Sequence, residues 1–283
     1  MEDQNQIWTE EIKSNESLFS INLTEVWNYR DLLFMLVKRD FITFYKQTIL
    51  GPLWFIIQPL LTMLIYVLLF GQVAKLSTDG LPQTAFYLCG ITVWNYFSES
   101  LNKTSTVFKD NASVFGKVYF PRLIMPLSIV FSGLVKFAIQ FFIFILVVLY
   151  FTFIDKQLHP NYWILATPFL ILLMATFALG LGMIFSSLTN KYKDLTFLLT
   201  FGIQLFMYAT PVVYPISALP TKYAFVSKIN PLSSIFECFR HGYLGSKGFN
   251  PNDLIFSTIV IFFVLIFGVV IFNKIEKNFM DTV

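Results

Sequence analysis

Cysteine and histidine are scarce, with two of each in 283 residues. Cys89 and Cys238 are too few for a disulfide framework or a thiolate metal cluster. His159 and His241 are far apart, both in segments that read as outer loops, where a solvated side chain is expected instead of a ligand. Charge is scarce too: charged residues make up 13% of the chain, the net charge is +3, and the basic residues stand at segment ends without forming a patch. That excludes nucleic acid as a partner. No G-x-x-x-x-G-K-[ST], H-E-x-x-H or paired C-x-x-C occurs, so the chain has no nucleotide loop with which to hydrolyse ATP, and no metal or cofactor is expected on it. A membrane glycosyl- or acyltransferase would need clustered carboxylates or a His-Asp arrangement in a loop. The inner loops offer only Asp110 and Asp194. The first 25 residues carry Glu2, Asp3, Glu10, Glu11, Glu16 and Glu25 against Lys13 alone, the reverse of a signal peptide, so no cleavage is expected.

What the chain has is apolar surface. Hydrophobic residues are 56% of it and mean hydropathy is +0.66, more than one water-soluble core of this size can bury. We expect an all-α polytopic membrane protein: an acidic segment over residues 1–25, then a single transmembrane domain over 26–283. A helix from Thr24 puts Leu33, Val37, Phe41 and Phe44 on one face and Arg30, Lys38, Arg39 and Lys46 largely on others, the pattern of a helix lying in the membrane interface or packed on a neighbouring subunit. Gly51-Pro52 marks the bend into the first span, which has no charge between Lys46 and Lys75. Further spans are expected at about 84–98, 123–154, 162–188, 195–211 and 254–272, six in all. Glu99 falls at the interface end of the second. Gly180 and Gly182 in the fourth allow close helix approach, Pro211, Pro215 and Pro220 end the fifth, and the sixth faces lipid. Between the fifth and sixth, Asn230 suits a cap, Pro231 a first helical position and Gly245 a stop, with Leu232, Ile235, Phe236, Phe239 and Tyr243 at helical spacing. This predicts a short amphipathic helix that lies at the outer surface or dips from it into the membrane.

Six spans place both ends on one side, together with most of the lysine and arginine, so the positive-inside rule makes both termini cytoplasmic. The polar stretch 102–126 (NKTSTVFKDNASVFGKVYFPRLIMP) then lies in water at the inner face. Three polar rows recur at helical spacing: Gln58, Thr62 and Tyr66 with Phe55 one turn earlier; Thr196, Thr200, Gln204 and Tyr208; and Ser128, Ser132, Lys136 and Gln140. Polar groups facing hydrocarbon are costly. Each row therefore faces other helices, where an interhelical contact is worth under about 1 to 2 kcal/mol, or lines a pathway. Lys136, about 18 Å into its span at helical rise, either snorkels to the interface or is paired or hydrated inside the bundle. Aromatics, 18% of the chain, serve as lipid-facing bulk and interfacial anchors, with a minority able to form a stacking wall for a sugar chain.

The run YRDLLFMLVKRDFITFYKQTILGPLWFIIQPLLTM (29–63), KVYFPRLIMPLS (117–128), LTNKYKDL (188–195), TPVVYP (210–215) and NPLSSIFECFRHGYLG (230–245) together resemble the permeases of type 2 ABC exporters. They are most similar to those exporting O-antigen, capsule and teichoic acid. The blocks occur in the family's order over roughly nine-tenths of the chain. The resemblance implies a homodimer in the bacterial cytoplasmic (inner) membrane, with two copies of a separate ATPase carrying ATP and Mg beneath it, exporting a lipid-linked glycan. It implies a coupling helix seated in the ATPase at about 109–119, including Lys109, Asp110, Asn111, Val114, Phe115, Lys117, Val118 and Tyr119. The interfacial helix, with Lys38, Arg39, Phe41 and Tyr45, also touches the ATPase. Spans one and five line the conduit through Phe55, Gln58, Thr62, Tyr66, Thr196, Thr200, Gln204 and Tyr208, and Pro231, Phe236, Phe239 and Arg240 belong to an outer gate. Two positions depart from the family: Lys136 stands where relatives often carry an acid, and GITVWNYF (90–97) lacks the proline common before its tryptophan. An exporter of a small lipid or drug-like molecule in the same superfamily is the alternative.

Overall fold

The computed structural model describes residues 23–46, 48–111, 120–192, 194–220, 222 and 224–280. Most of the acidic first segment, the expected coupling residues Val114, Phe115, Lys117, Val118 and Tyr119, and the side chain of Tyr45 lie outside the described residues. Every regular element described is helical. In chain order these are α1 (Leu23–Asn28), α2 (Arg30–Lys46), α3 (Trp54–Tyr66), α4 (Gln83–Ser105), α5 (Val107–Asp110), α6 (Ile124–Phe153), α7 (Thr167–Lys191), α8 (Leu195–Ala209), α9 (Ala224–Ile229), α10 (Pro231–Leu244) and α11 (Pro251–Met280). A 3₁₀ turn, Gly51–Leu53, leads into α3, and a wider π-helical stretch, Val67–Val73, continues it. Gly51 turns the chain there with φ +52°.

Among the described residues, four helical segments are long and apolar enough to cross a membrane: Gly51–Val73, Ile124–Phe153, Tyr162–Thr189 and Pro251–Lys274. The other two expected spans fail that test for different reasons. α4 is long enough, about 34 Å at helical rise, but carries Asn95, Ser98, Glu99 and Asn102. It runs past the expected end of its span, so Glu99 is inside the helix and not at its margin. α8, with 15 residues, reaches only about 22 Å, short of a hydrocarbon core of about 30 Å. The chain beyond it, Thr210 to Val213, is irregular and buried in protein, the circumstance in which non-helical backbone is tolerated at depth.

α4 is the centre of the bundle. Most of its side chains are buried, and it packs against α3, α6, α7, α8 and α10. The closest helix pair is α7 with α11, and glycine explains it. A Cβ on Gly268 would stand 2.4 Å from the carbonyl oxygen of Gly180, and one on Gly180 would stand 2.9 Å from the backbone of Leu265. The backbones themselves are in contact. Two residues on, and so on the other side of α7, a Cβ on Gly182 would stand 2.5 Å from Cβ of Thr104, so α7 also packs closely on α4. α11 thus buries Ile261 and Phe272 against its neighbours and exposes Phe263 and Ile266 on the other side, so only part of it faces outward.

At the end of the bundle that α2 packs against, a second apolar cluster joins Leu36 of α2 to Val107, Phe108, Phe120, Ile124, Met183 and Phe272, with Phe108 stacked on Phe272 at 4.7 Å. Leu33, Val37 and Phe41 are half-buried as their spacing predicts, while Leu36 is the residue most deeply enclosed. Lys38 and Arg39 are exposed. The stretch 102–126 is only partly watery. Asn102, Lys103, Lys109 and Asp110 are exposed, but Thr104, Ser105, Phe108, Phe120 and Arg122 are buried, because α4 continues into this stretch and α5 turns its apolar side inward.

At the outer end α10 starts and stops where expected. The Asn230 side chain accepts from Leu232 N–H at 3.0 Å, and Gly245 ends the helix at φ +78° with its N–H donating to His241 O. It is not a surface amphipathic helix, however. Pro231 through Arg240 are all buried, Phe236 and Phe239 almost completely. Arg240 is the reason a charged turn can be enclosed: it donates to Val212 O at 2.8 Å, to Tyr214 O at 3.3 Å and to Glu237 at 3.4 Å, and its guanidinium lies 3.9 Å from the Phe86 ring centre. Burial pushes the Glu237 carboxyl up from its ordinary value, and the adjacent Arg240 opposes that. Gly90 in α4 leaves the slot for this backbone, since a Cβ there would stand 2.4 Å from Val212 O. His241 belongs to the same cap, with Nδ1 2.5 Å from Ser246 O and its ring stacked on Phe249, so it is not the solvated side chain expected; His159 is exposed.

Two outcomes test this packing. Gly268→Ala is expected to destabilise by about 1 to 3 kcal/mol through overpacking, whereas Gly202→Ala, where a Cβ meets nothing within 4 Å, should be neutral or stabilising by up to about 1 kcal/mol. Equal thermal midpoints of the two variants in detergent would show that the α7–α11 contact is not of backbone type. Arg240→Met is expected to cost about 3 to 5 kcal/mol because it strands Glu237 and two carbonyls. Adding Glu237→Gln should recover part of that loss; if the double variant loses the full sum of the two single effects, the pair is not coupled.

Candidate functional site

The polar rows decide where a ligand could go. Phe55 and Gln58 of α3, Lys136 and Gln140 of α6, and Thr200, Gln204 and Tyr208 of α8 converge on one cavity of about 630 Å³. The wall is completed by α4, which contributes Trp94, Asn95, Ser98, Glu99 and Asn102. All three rows expected from the sequence therefore reach the same space, and a fourth, on α4, was missed. Its signal was available: 95, 98, 99 and 102 follow the i, i+3, i+4, i+7 face of a helix, hidden by ending the second span at Ser98.

Not every expected lining residue is in this wall. Thr62 donates its hydroxyl to Gln58 O at 2.9 Å, Tyr66 is half-buried with its hydroxyl 3.6 Å from the sulfur of Met207, and Thr196 supplies the carbonyl that accepts from Thr200 at 3.0 Å. These three stand beside the cavity, while the remaining five of the eight expected residues line it. Of the expected gate residues, Pro231 borders a separate, almost wholly apolar cavity of about 610 Å³ between α7, α8 and α9. Phe236, Phe239 and Arg240 are packed into the outer cap described above. Lys109 and Asp110 are exposed at the end of α5. There Thr106 donates to Asp110 at 2.6 Å, and the half-buried Asn111 donates its side-chain amide to Val107 O at 3.1 Å.

The wall is organised by a register between α4 and the antiparallel α6. Asn95 donates to Gln140 at 3.3 Å, and one turn inward Lys136 donates to Glu99. A further turn inward, Ser132 donates to Asp40 of α2 at 3.5 Å. Each step of four residues along α4 is matched by four back along α6. Glu99 also binds Lys103, one turn below, at 2.8 Å, and the Lys136 ammonium lies 5.1 Å from the Phe55 ring centre. Lys136 therefore does not snorkel; it is paired within the bundle. Asp40 is held by Arg39 at 2.9 Å, and with Phe41, Glu99, Lys103 and Lys136 it encloses a void of about 30 Å³ below the main cavity. The ion pair thus borders the main cavity on one side and, on the other, the small void it shares with Ser132 and with Asp40 of α2.

Chemically the cavity is a binding surface. Its wall holds five carboxamides, Gln58, Asn95, Asn102, Gln140 and Gln204, each able to donate and accept, with Trp94 and Tyr208 offering ring surface. The chain as a whole has relatives among known proteins. A family model described as ABC-2 type transporter matches residues 31–244. An O-antigen export system permease protein RfbA of Klebsiella pneumoniae is 29% identical over 253 residues, 89% of this chain and 94% of that protein. A Myxococcus xanthus protein of the same description is 28% identical over 76% of this chain and 81% of its own length. The capsule polysaccharide export inner-membrane protein CtrC of Neisseria meningitidis serogroup B is 24% identical over 92% and 98%. With three-quarters of its length matched by the family model and its long apolar helices arranged as a membrane bundle, the chain belongs to the ABC-2 type transporter family.

Proposed function

We propose that the chain is the membrane subunit of an exporter that moves a lipid-linked polysaccharide, such as O-antigen or a related cell-surface polymer, across the bacterial cytoplasmic membrane. The observation that carries this is the breadth of the similarity: relatives described as O-antigen and capsule export permeases align over 76% to 92% of this chain. The cavity supports it independently, since carboxamides beside aromatic rings suit hydroxyl-rich ligands better than apolar ones.

Six spans follow on this reading, from α3, α4, α6, α7, α8 and α11. α4 counts because its polar row faces protein and cavity, and α8 because the buried stretch after it completes the crossing. The bias of lysine and arginine supports cytoplasmic termini and an interfacial position for α2. Exposed apolar faces on α3 and its π-helical continuation (Leu61, Leu64, Leu68) and on α8 (Phe197, Phe201, Leu205) support a homodimer joined through these helices. ATP and Mg²⁺ belong to a separate pair of ATPase subunits gripping the loop that opens with Lys109 and Asp110, and the Phe108–Phe272 stack carries loop movement into the bundle. Binding energy that differs between two states of the ATPase drives the change.

Two measurements test the reading. In cells lacking the endogenous permease, the double variant Gln58→Leu/Gln204→Leu is expected to reduce surface polymer at unchanged membrane abundance; full export would remove the cavity from the path. Reversing Lys109 and Lys117 to glutamate is expected to weaken ATPase co-purification by about tenfold or more without affecting insertion. Should the ATPase stay bound after loop 109–119 is replaced by a neutral linker, the coupling assignment fails.

A further inference from the structure

We propose that Lys136 is an oxyanion acceptor in the wall of the polar cavity, turning from Glu99 to an anionic group on the incoming molecule while Glu99 stays paired with Lys103. The inference rests on the cavity being the substrate path. It adds a chemical class that the carboxamides do not specify, a phosphate or carboxylate held at this depth by a named side chain.

Charge counting motivates it. Glu99 with Lys103 and Lys136 forms a triad that carries one positive charge over, while Asp40 is paired with the half-exposed Arg39, which lines neither cavity. A positive excess beside a cavity of about 630 Å³ inside a membrane protein favours entry of an anion. The pairing pattern shows which cation can serve. Asp40 is occupied by Arg39 at 2.9 Å, and Glu99 is bound by two lysines at once. A carboxylate with a single partner would be stranded if that partner left, at a cost of several kcal/mol in a desolvated site. Here Lys103 remains 2.8 Å from Glu99, so Lys136 can turn away without leaving an isolated charge.

Geometry favours Lys136 over Lys103 as the acceptor. Lys136 lines the main cavity, whereas Lys103 lines only the small void beneath it. Gln140 and Asn95, one turn outward in the same wall, add neutral N–H donors for the remaining anion oxygens. Phe55, also in the cavity wall, lies 5.1 Å from the ammonium and gives the cation an aromatic face. A purely structural bridge between α4 and α6 would need only one lysine on Glu99. The second is what makes exchange possible.

The test uses the full-length chain in phosphatidylcholine nanodiscs, which bring no anionic lipid, and equilibrium dialysis with three labelled probes: farnesyl diphosphate, trigalacturonate and maltotriose. The expected result is that Lys136→Met weakens binding of at least one anionic probe by about tenfold, the worth of one charge-assisted contact, and leaves maltotriose unchanged. Lys136→Arg should retain most of the anion affinity. Glu99→Gln, which relieves Lys136 of its competitor, should tighten anion binding several-fold, a gain that a merely structural pair would not produce. A response confined to farnesyl diphosphate assigns the anion to the lipid carrier, and one confined to trigalacturonate assigns it to the polymer. The proposal is overturned if neither anion binds the unaltered chain, if Lys136→Met and Glu99→Gln leave anion affinity unchanged, or if anion and maltotriose affinities fall together. Maltotriose binding without any Lys136 effect sinks this inference alone; failure of all three probes also removes the cavity from the proposed sugar path.

Discussion

The structure depends on enclosing α4. A helix with Asn95, Ser98, Glu99 and Asn102 on one face cannot stand in hydrocarbon, because each unsatisfied polar group there costs several kcal/mol. Five other helices surround it, and those bordering the polar face answer with polar groups of their own. The antiparallel register with α6 follows from this, since only one alignment brings Gln140 to Asn95 and Lys136 to Glu99 together. The space left between side chains too polar to collapse onto one another is the cavity.

What holds the bundle around that space is contact of the opposite kind. In lipid no hydrophobic force draws helices together, so close backbone approach has to do it. Gly180 and Gly268 let α7 and α11 touch, Gly182 brings α7 to Thr104 of α4, and Gly90 admits the carbonyl of Val212. These contacts are on the far side of α4 or at its outer end. The polar face is left to α3, α6 and α8, of which α3 exposes Trp54, Leu61, Leu64 and Ile65 and α8 exposes Phe197, Leu198, Phe201 and Leu205. The firmly packed half and the half that borders the cavity are therefore different halves.

Much of this was legible in the sequence, and the failures share a cause. Apolar length located α3, α6, α7 and α11, and Asn230, Pro231 and Gly245 located α10, because those signals are local. The rows on α3, α6 and α8 were legible as rows, yet spacing on one helix cannot say which rows meet, and that is settled by tertiary packing. Glu99 was placed at an interface and α10 at a surface for one reason: a charge in a sequence reads as solvated until its partner is known. The partners, Lys136 at 37 residues' distance and the carbonyls of Val212 and Tyr214 at 28 and 26, are invisible to any short window. Lys136 posed the same difficulty, and its alternatives could be separated only by finding Glu99 opposite it.

The same packing bears on how a long polymer could pass. A path that binds strongly at one point would stall; movement needs contacts sufficient for entry and weak or numerous enough for release. Most of the cavity wall meets that requirement, with five carboxamides that can exchange donors and acceptors as hydroxyl groups slide by. The exception is the inner end, where Lys136, Glu99 and Lys103 concentrate charge next to the polar contacts that lead to α2. On the proposed function, an anionic group would be held more firmly there than a neutral sugar, beside the contact that Ser132 of α6 makes with Asp40 of α2.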